Sequence, residues 1–554
     1  MKKHNKAECN IRQPGFVLVI LACAALIFAS GCEELAKKEA FYTIKVKPEQ
    51  TREIQTLKLE PKADVNKPAD ANKSAQKEIK LSIEQCRAMT LSNNLDLKVQ
   101  LIEPAIAAKQ VGAEEAKFES AFFSNINYNS IKQPSSVLAD QASAYKSMTV
   151  DVGVQVPLQT GGTVKFDLAD NKTESGYDPF FPVSYTATGS LSISQPLLRG
   201  AGKRANTHSI RILEYQRQIT NAMTKLEVIR VLANADRGYW RLYAARKELE
   251  VRQQEYELAQ AQLEQTKRMV ALGEKAAVET VRSEAGVAER LDGIIKAKKA
   301  LQDRERELKQ ILNETGLGID SPVTVVPMTE PDPVRYEIEK PRMMASAVEN
   351  RMEMLQLELQ IAQDTSTVDY YKNQALPLVT LDYTYNMNGL GVTRNDAYDM
   401  MSARNFENNI VGVQVVVPLG NEAAKNRLME AYYRKRQRLS SKQNRQRMIE
   451  TEVMGAIEQL EANWQSILAG RQNSILAGRL YEAEKRQYEL GLRTSTDVLD
   501  QQAKFANAQS SEIRALTEYQ IAQVDLAYAT GTLLGAAKIR WEPIVPDVHG
   551  MEAK

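Results

Sequence analysis

The chain has 554 residues, with 72 Lys and Arg against 70 Asp and Glu, a formal net charge of +2, and only 6 % aromatic residues. That balance argues against a nucleic-acid partner, which would need a strong basic excess. The charges alternate in sign along helical stretches instead.

The chain opens with Lys2, Lys3, Lys6 and Arg12, followed by an apolar run from Phe16 to Ala29. That run has the length of a signal-peptide core and is short for a membrane span. It ends at Ala29-Ser30-Gly31-Cys32, and small residues just before a Cys resemble a bacterial lipoprotein processing site. Processing there would leave Cys32 as a lipidated N-terminus; the alternative is an ordinary cleaved signal with an incidental Cys. Cys9 and Cys23 fall in the removed segment, so the mature chain keeps Cys32 and Cys86. If Cys32 carries lipid, no intrachain disulfide is possible and stability rests on packing. Cys86 lies in an amphipathic stretch and is expected as a small core residue. Residues 32–79 are rich in Lys, Ala, Asp, Asn and Pro, and Lys62 to Lys80 has almost no large apolar side chain. This segment is expected to act as a flexible tether.

The first folded unit is expected over 80–312. It starts with a helix at about Ser82 to Glu119 and continues into a β-segment at about 120–197. Val150, Val152, Val154 and Val156 alternate with Asp151, Gly153 and Gln155, and Thr163 to Leu168 and Ala187 to Ser194 show the same period of two. A membrane-spanning β-strand needs about 9–11 residues, apolar outward and polar inward. Gln159 to Gly162 reads as a short turn, and Ile131 to Lys146 and Asp170 to Ser184 as long polar connections. Short turns at one end and long loops at the other fit an outer-membrane barrel; the alternative is a soluble β-domain capping a coiled coil. A helical hairpin follows over about 204–312. Arg204 to Leu272 contains no Pro and one interior Gly, Gly238, with apolar positions near a spacing of 3.5 at Ile212, Ile219, Leu226, Ile229 and Leu232. A helix of that length reaches on the order of 100 Å.

A Pro-rich stretch, 313–341, leads to a second unit over 342–535. It repeats the order: a helix at about Arg342 to Gln374, a β-segment at about 377–418 with a long connection at Met387 to Asn405, and a hairpin at about 421–535. A tail, 536–554, ends the chain. The repeat is visible in the residues. Met269 to Val281 matches Gln487 to Leu499, each with a Leu-Gly turn and a carboxylate six residues after the Gly, Glu279 and Asp497. Asn93 to Leu97 matches Asn350 to Met354, and Gln195-Pro196-Leu197 matches Val417-Pro418-Leu419. A period of more than 200 residues marks a duplicated domain, and such a duplication suits a wall that closes by symmetry.

No enzyme constellation is visible. His4, His208 and His549 are far apart and lack metal-ligand spacing, so no metal site is expected. No Gly-rich phosphate loop is present, and no cofactor is expected. Asp497 and Asp500 share a helix face at i, i+3. Leu272, Gly273, Leu490, Gly491 and Leu492 form apolar tips at the repeated turns, and exposed apolar residues at a repeated position suggest a docking surface.

The duplicated order, the Pro-Leu signals at Pro196-Leu197 and Pro418-Leu419, and above all YELGLRTSTDVLD from Tyr488 to Asp500 resemble the TolC family of outer-membrane efflux and secretion channels. The resemblance covers about residues 80 to 535. It implies a mainly α fold with a β-barrel segment, in which three copies of a duplicated helix–strands–long helix–hairpin–helix unit form an α-helical barrel continuous with an outer-membrane β-barrel. It implies a passive exit duct anchored in outer-membrane lipid and reaching into the periplasm. The partners would be a periplasmic adaptor at the hairpin tips and, through it, an inner-membrane pump. It places Asp497 and Asp500 in an acidic ring at the periplasmic aperture, and Tyr488 and Arg493 in a closed-state latch with Arg493 paired to Glu279. One departure stands out: the family supplies two strands per half, whereas the first half here offers four. Three copies then hold 18 strands if the extra hairpin enters the wall and 12 if it does not. The competing expectation is a lipid-anchored periplasmic coiled-coil scaffold without conductance.

Overall fold

A computed structural model describes residues 78–134, 142–175 and 183–542. The signal segment, Cys32, nearly all of the tether and most of the tail lie outside the described residues.

The fold begins with β1 (Glu78–Leu81), which pairs in parallel with β6 (Thr324–Pro327) from the Pro-rich stretch. The single helix expected over Ser82 to Glu119 is three helices: α1 (Ile83–Asn93), α2 (Leu95–Gln100) and α3 (Glu103–Glu115). The breaks have local causes. Asn94 takes an extended ψ of 125° and its side chain accepts the Leu97 amide, which stops one helix and caps the next. Pro104 lacks an amide proton and therefore opens α3 rather than continuing α2. Ser82 starts α1 with a reciprocal capping box to Gln85.

Four strands follow: β2 (Ala121–Pro134), β3 (Ala142–Pro157), β4 (Thr163–Ser175) and β5 (Val183–Pro196). Then comes α4 (His208–Ala271), 64 residues long, a left-handed turn at Gly273 (φ +75°), and α5 (Val278–Leu312) folding back antiparallel. The expected helix at Arg342 to Gln374 is also divided, into α6 (Lys340–Asn350) and α7 (Met352–Gln374). Arg351 leaves helical geometry there (ψ 128°), and its buried guanidinium is held by Glu353 and Glu452. The second half closes with β7 (Leu378–Gly391), α8 (Arg394–Ser402), β8 (Glu407–Val416), the 68-residue α9 (Glu422–Glu489), a turn at Gly491 (φ +78°), and α10 (Ser495–Ala529).

The strands form one antiparallel six-stranded sheet in the order β2-β3-β4-β5-β7-β8. They are longer than the apolar alternation suggested, up to 16 residues in β3. Hydrogen-bonded pairing continues past the apolar band into residues such as Asn129, Lys172 and Glu174, so register outlives hydrophobic periodicity. Much of the expected loop at Ile131 to Lys146 is therefore paired strand. The connection at Met387 to Asn405 holds α8, started by a Thr393–Asp396 capping box.

Apolar cores lie along the middle of the helices rather than in one globule. One gathers Cys86, Tyr239, Trp240, Leu308 and Val325 beside the β1–β6 pair. A second packs α6 and α7 on α9 and α10 through Met354, Ile449, Val453, Ile457 and Tyr519. A third joins α2, α4 and α10 at Leu97, Leu232 and Val524. Cys86 is fully buried as expected, and burial pushes its thiol pKa up to about 12. Ile219, Ile229 and Leu232 of the 3.5-residue series are buried in α4. Ala506, Ala508, Ala522 and Ala529 are buried along α10, where small side chains permit close helix approach.

Candidate functional site

Two places stand out: the faces of the sheet and the far tips of the helical hairpins. On the sheet, register sorts the side chains into rows. One row runs Phe122, Val154, Phe166, Leu191, Tyr385; the next runs Val156, Val164, Ile193, Tyr383, Val411. None of these apolar or aromatic residues is buried: Phe122, Phe166 and Val411 are exposed, Phe122 by 67 % and Val411 by 68 %, and the others are partly exposed. The opposite face runs Asn125, Asp151, Ala169, Thr188, Asn388 and, a step further, Asn127, Thr149, Asn171, Thr186. Its side chains bond to one another across strands, Thr149 Oγ1 to Asn171 Oδ1 at 3.1 Å and Thr188 Oγ1 to Asn388 Oδ1 at 3.3 Å. An exposed apolar face backed by a polar one is the pattern of a strand wall between lipid and water.

Beyond the apolar band, α8 lies on the apolar-side face of β5 and β7. Gly389 and Gly391 leave room for it: a Cβ at Gly389 would fall 1.8 Å from the Ala397 carbonyl oxygen. Arg394 reaches Asp170 of β4 at 2.8 Å, and Asn395, Asp396 and Asp399 are exposed. The polar outer surface of α8 suits a position at or above the edge of the apolar band.

At the tips, the two hairpins present the same turn with different chemistry. Leu272 and Leu490 are each 75 % exposed, Leu492 is 73 % exposed, and Gly273 and Gly491 provide the left-handed turns. Thr494 caps α10. Its hydroxyl accepts the Asp497 amide, and Asp497 Oδ2 accepts from the Thr494 amide and hydroxyl at 3.0 and 2.8 Å. The Thr494 amide, then its hydroxyl, hold the Asp497 carboxyl below the usual range. Asp500 is exposed one turn on.

The equivalent of Thr494 in the first hairpin is Ala276, three residues after Gly273, which has no capping hydroxyl. Glu279, the counterpart of Asp497, is therefore free to reach across. Its Oε2 accepts the Ser495 amide at 3.0 Å and the Ser495 hydroxyl at 2.5 Å, while Oε1 accepts Arg282 Nη1 at 2.6 Å. Glu279 is 7 % exposed. Burial alone would raise its pKa, but the Ser495 bonds and the Arg282 guanidinium outweigh burial and hold it below the usual value.

The expected Arg493–Glu279 pairing is thus corrected within the chain. Glu279 is already saturated, and Arg493 turns back onto α9, with Nε 3.1 Å from Glu484 and 3.0 Å from Gln487 Oε1. Tyr488 is fully buried at the joint of the two hairpins. Its hydroxyl is 2.9 Å from Thr266 Oγ1, which in turn accepts from Ser283, and Lys275 Nζ sits 4.5 Å from its ring centre. Lys275 also donates to the Arg493 carbonyl at 3.2 Å. Further from the tips, buried Arg290 donates to the Leu499 and Gly286 carbonyls and lies 3.6 Å from buried Glu255.

Sequence reasoning missed Ser495, Thr266 and Glu484. The T-x-x-D spacing of Thr494 and Asp497 was available as a helix-start signature and would have committed Asp497 to a cap. Nothing in the sequence shows the contact across 216 residues from Glu279 to Ser495. His208, far from the tips, stacks on Tyr370 and faces Ser366, a packing role.

Residues 343–532 match the outer membrane efflux protein family. A curated relative, outer membrane protein TolC of Vibrio cholerae, is 25 % identical over 306 residues, 54 % of this chain and 66 % of the relative's length. Among solved structures, the Campylobacter jejuni CmeC outer-membrane channel superposes with a TM-score of 0.59 at 14 % identity, covering 81 % of this chain and 86 % of that one. The outer membrane protein VceC of Vibrio cholerae superposes with a TM-score of 0.58 at 12 % identity, covering 81 % and 96 %. The helices, sheet and hairpins described above are therefore the fold these outer-membrane proteins share, and within it residues 343–532 carry the match to the outer membrane efflux protein family.

Proposed function

We propose that this chain is the outer-membrane channel of a tripartite efflux or type I secretion system, a passive duct of three copies through which cargo leaves the periplasm. It resides in the outer membrane and extends into the periplasm. The observation that carries this reading is the sheet: an exposed apolar face and a polar face on the same six strands, with long helices leading away from one end. A lipid anchor at Cys32 would add to the hold of the wall on the membrane. Energy would come from an inner-membrane pump, joined through a periplasmic adaptor that meets the Leu272, Leu490 and Leu492 tips. Asp497 and Asp500, three copies around one axis, would make the aperture acidic and favour cations over anions. Glu279 through Ser495, Tyr488 through Thr266, and Lys275 through the Arg493 carbonyl hold the two hairpins of one chain together beside that aperture.

The competing reading is a lipid-anchored scaffold whose sheet only gathers three coiled coils. The exposed apolar rows weigh against it, since a water-facing sheet places polar residues outward. Reconstitution of the full-length protein into planar lipid bilayers tests the choice. Discrete cation-favouring current steps, with a heat-modifiable band on a gel, are expected. Absence of both would leave the scaffold.

A further inference from the structure

The extra hairpin of the first half, β3–β4, lies in the middle of the sheet. Strands β2 and β5 are the first-half strands that connect to helices, and a two-strands-per-half wall would pair them directly. They are separated here by β3 and β4, each fully paired on both sides over 12 or more positions. Three inter-strand spacings put β2 and β5 about 14 Å apart. The turn of the hairpin is also seated on the junction with the helices. Gly202 N donates to the Thr160 carbonyl at 2.9 Å, and Thr160 Oγ1 bonds Gln195 Oε1 at 2.9 Å. Gly161, at φ +90°, lies so close that a Cβ would fall 2.3 Å from the Gly200 carbonyl oxygen. The hairpin shares the two-sided chemistry of its neighbours, with Val154 and Phe166 on the apolar face and Asp151 and Lys165 on the polar face.

The sheet ends in two bare edges, β2 and β8, neither with an outer partner among the described residues. β8 is exposed along nearly its whole length. Such edges pair with other chains unless they are covered or blunted. Because the sheet is antiparallel with an even number of strands, β8 of one copy runs antiparallel to β2 of the next. The apolar rows also continue across the seam, from Val411 and Val413 to Phe122 and Ile126.

We propose, building on the three-copy duct reading, that second and third copies of this chain occupy these edges and close a wall of eighteen strands, six from each copy. Barrel diameter grows roughly linearly with strand number, so this barrel is about half as wide again as one of twelve. The helical hairpins are not multiplied with it. The narrowest point of the duct is then at the periplasmic tips, and the membrane section passes whatever the tips admit.

Electron cryo-microscopy of the full-length protein in nanodiscs counts the strands: eighteen are expected. Twelve, with β3–β4 projecting from the wall, overturns the proposal while leaving the duct intact. An open sheet together with no bilayer current overturns both, and the missing current assigns the failure to the duct reading. Thiol labelling in outer membranes is the second measurement. Lys165→Cys should react with a water-soluble maleimide at least tenfold faster than Phe166→Cys, since one faces the lumen and the other lipid. Equal rates at these two neighbours would place the hairpin in water and sink the proposal.

Discussion

Glu279 Oε2 accepts both the amide and the hydroxyl of Ser495, at 3.0 and 2.5 Å, and so ties the first helical hairpin to the second. The carboxylate sits in the first turn of α5 and binds the first residue of α10. Two helix N-termini therefore stabilise one negative charge. Hydrogen bonds to a charged group contribute about 1.5–3 kcal/mol, more than an exposed ion pair at about 0–1 kcal/mol. Glu279→Gln keeps the shape and removes the charge. It is expected to raise the open probability of the reconstituted channel more than Arg493→Ser, whose pairing with Glu484 is half-exposed. Single-channel recording ranks the two variants, and a larger effect from Arg493→Ser would invert this account of the joint.

Ala276 gives a separate handle on the same contact. A hydroxyl at this position would reproduce the Thr494 cap of the second hairpin, and a cap of this kind contributes about 1 kcal/mol to its helix. Ala276→Thr should draw Glu279 back toward its own helix, as Asp497 is drawn to Thr494. The expected outcome is a stabilised α5 and a weakened bridge to Ser495: melting temperature unchanged or raised, and bilayer current increased. Ala276→Val, equally branched but without the hydroxyl, should leave the current at the parent level. Equal currents from both variants would show that bulk, not capping, matters.

Acid should open the same joint. The Glu279 carboxyl is held below its ordinary value in the closed arrangement, so the released joint binds a proton more readily than the closed one. The contact is fully present above the ordinary carboxylate pKa, about 4.3, and is lost as pH falls through the lowered value. Current through the closed channel should stay flat from about pH 8 to about pH 5 and rise only below about pH 4. Glu279→Gln should flatten that rise. An acid response that survives in Glu279→Gln would assign it elsewhere, with Asp497 the next candidate because its carboxyl is lowered in the same direction.

The long helices and their reversals were readable because each is a local property. Gly273 and Gly491 take the left-handed angles that end α4 and α9, and the unbroken charged stretches between them have no alternative use. Strand alternation exposed the sheet and its two faces. Strand length did not follow from it, because pairing in β3 and β4 runs on through Lys146, Lys172 and Glu174 after the apolar period ends. The breaks at Asn94 and Arg351 were hidden because each depends on a side chain finding a particular partner, Leu97 N in one case and Glu452 on a distant helix in the other. The residues at the hairpin tips divide the same way. Asp497 and Thr494 are three residues apart and carry a spacing signal, whereas Glu279 and Ser495 meet only after both hairpins have folded.

The tip leucines supply the remaining prediction. Leu272, Leu490 and Leu492 are three-quarters exposed beside glycines that no side chain crowds. Burying one such side chain contributes about 1.5–3 kcal/mol, and their position at the ends of the hairpins keeps them away from every core of the chain. Leu490→Asp should therefore leave folding, melting temperature and basal conductance unchanged while weakening adaptor binding at least tenfold. Surface plasmon resonance with the cognate adaptor measures the affinity directly, and export in cells should fall with it. Leu226→Asp, at a half-buried position of α4, is the contrasting variant: it should lower the melting temperature. Undiminished adaptor affinity in Leu490→Asp, with Leu272→Asp equally silent, would move the docking surface off the tips and onto the sides of the hairpins.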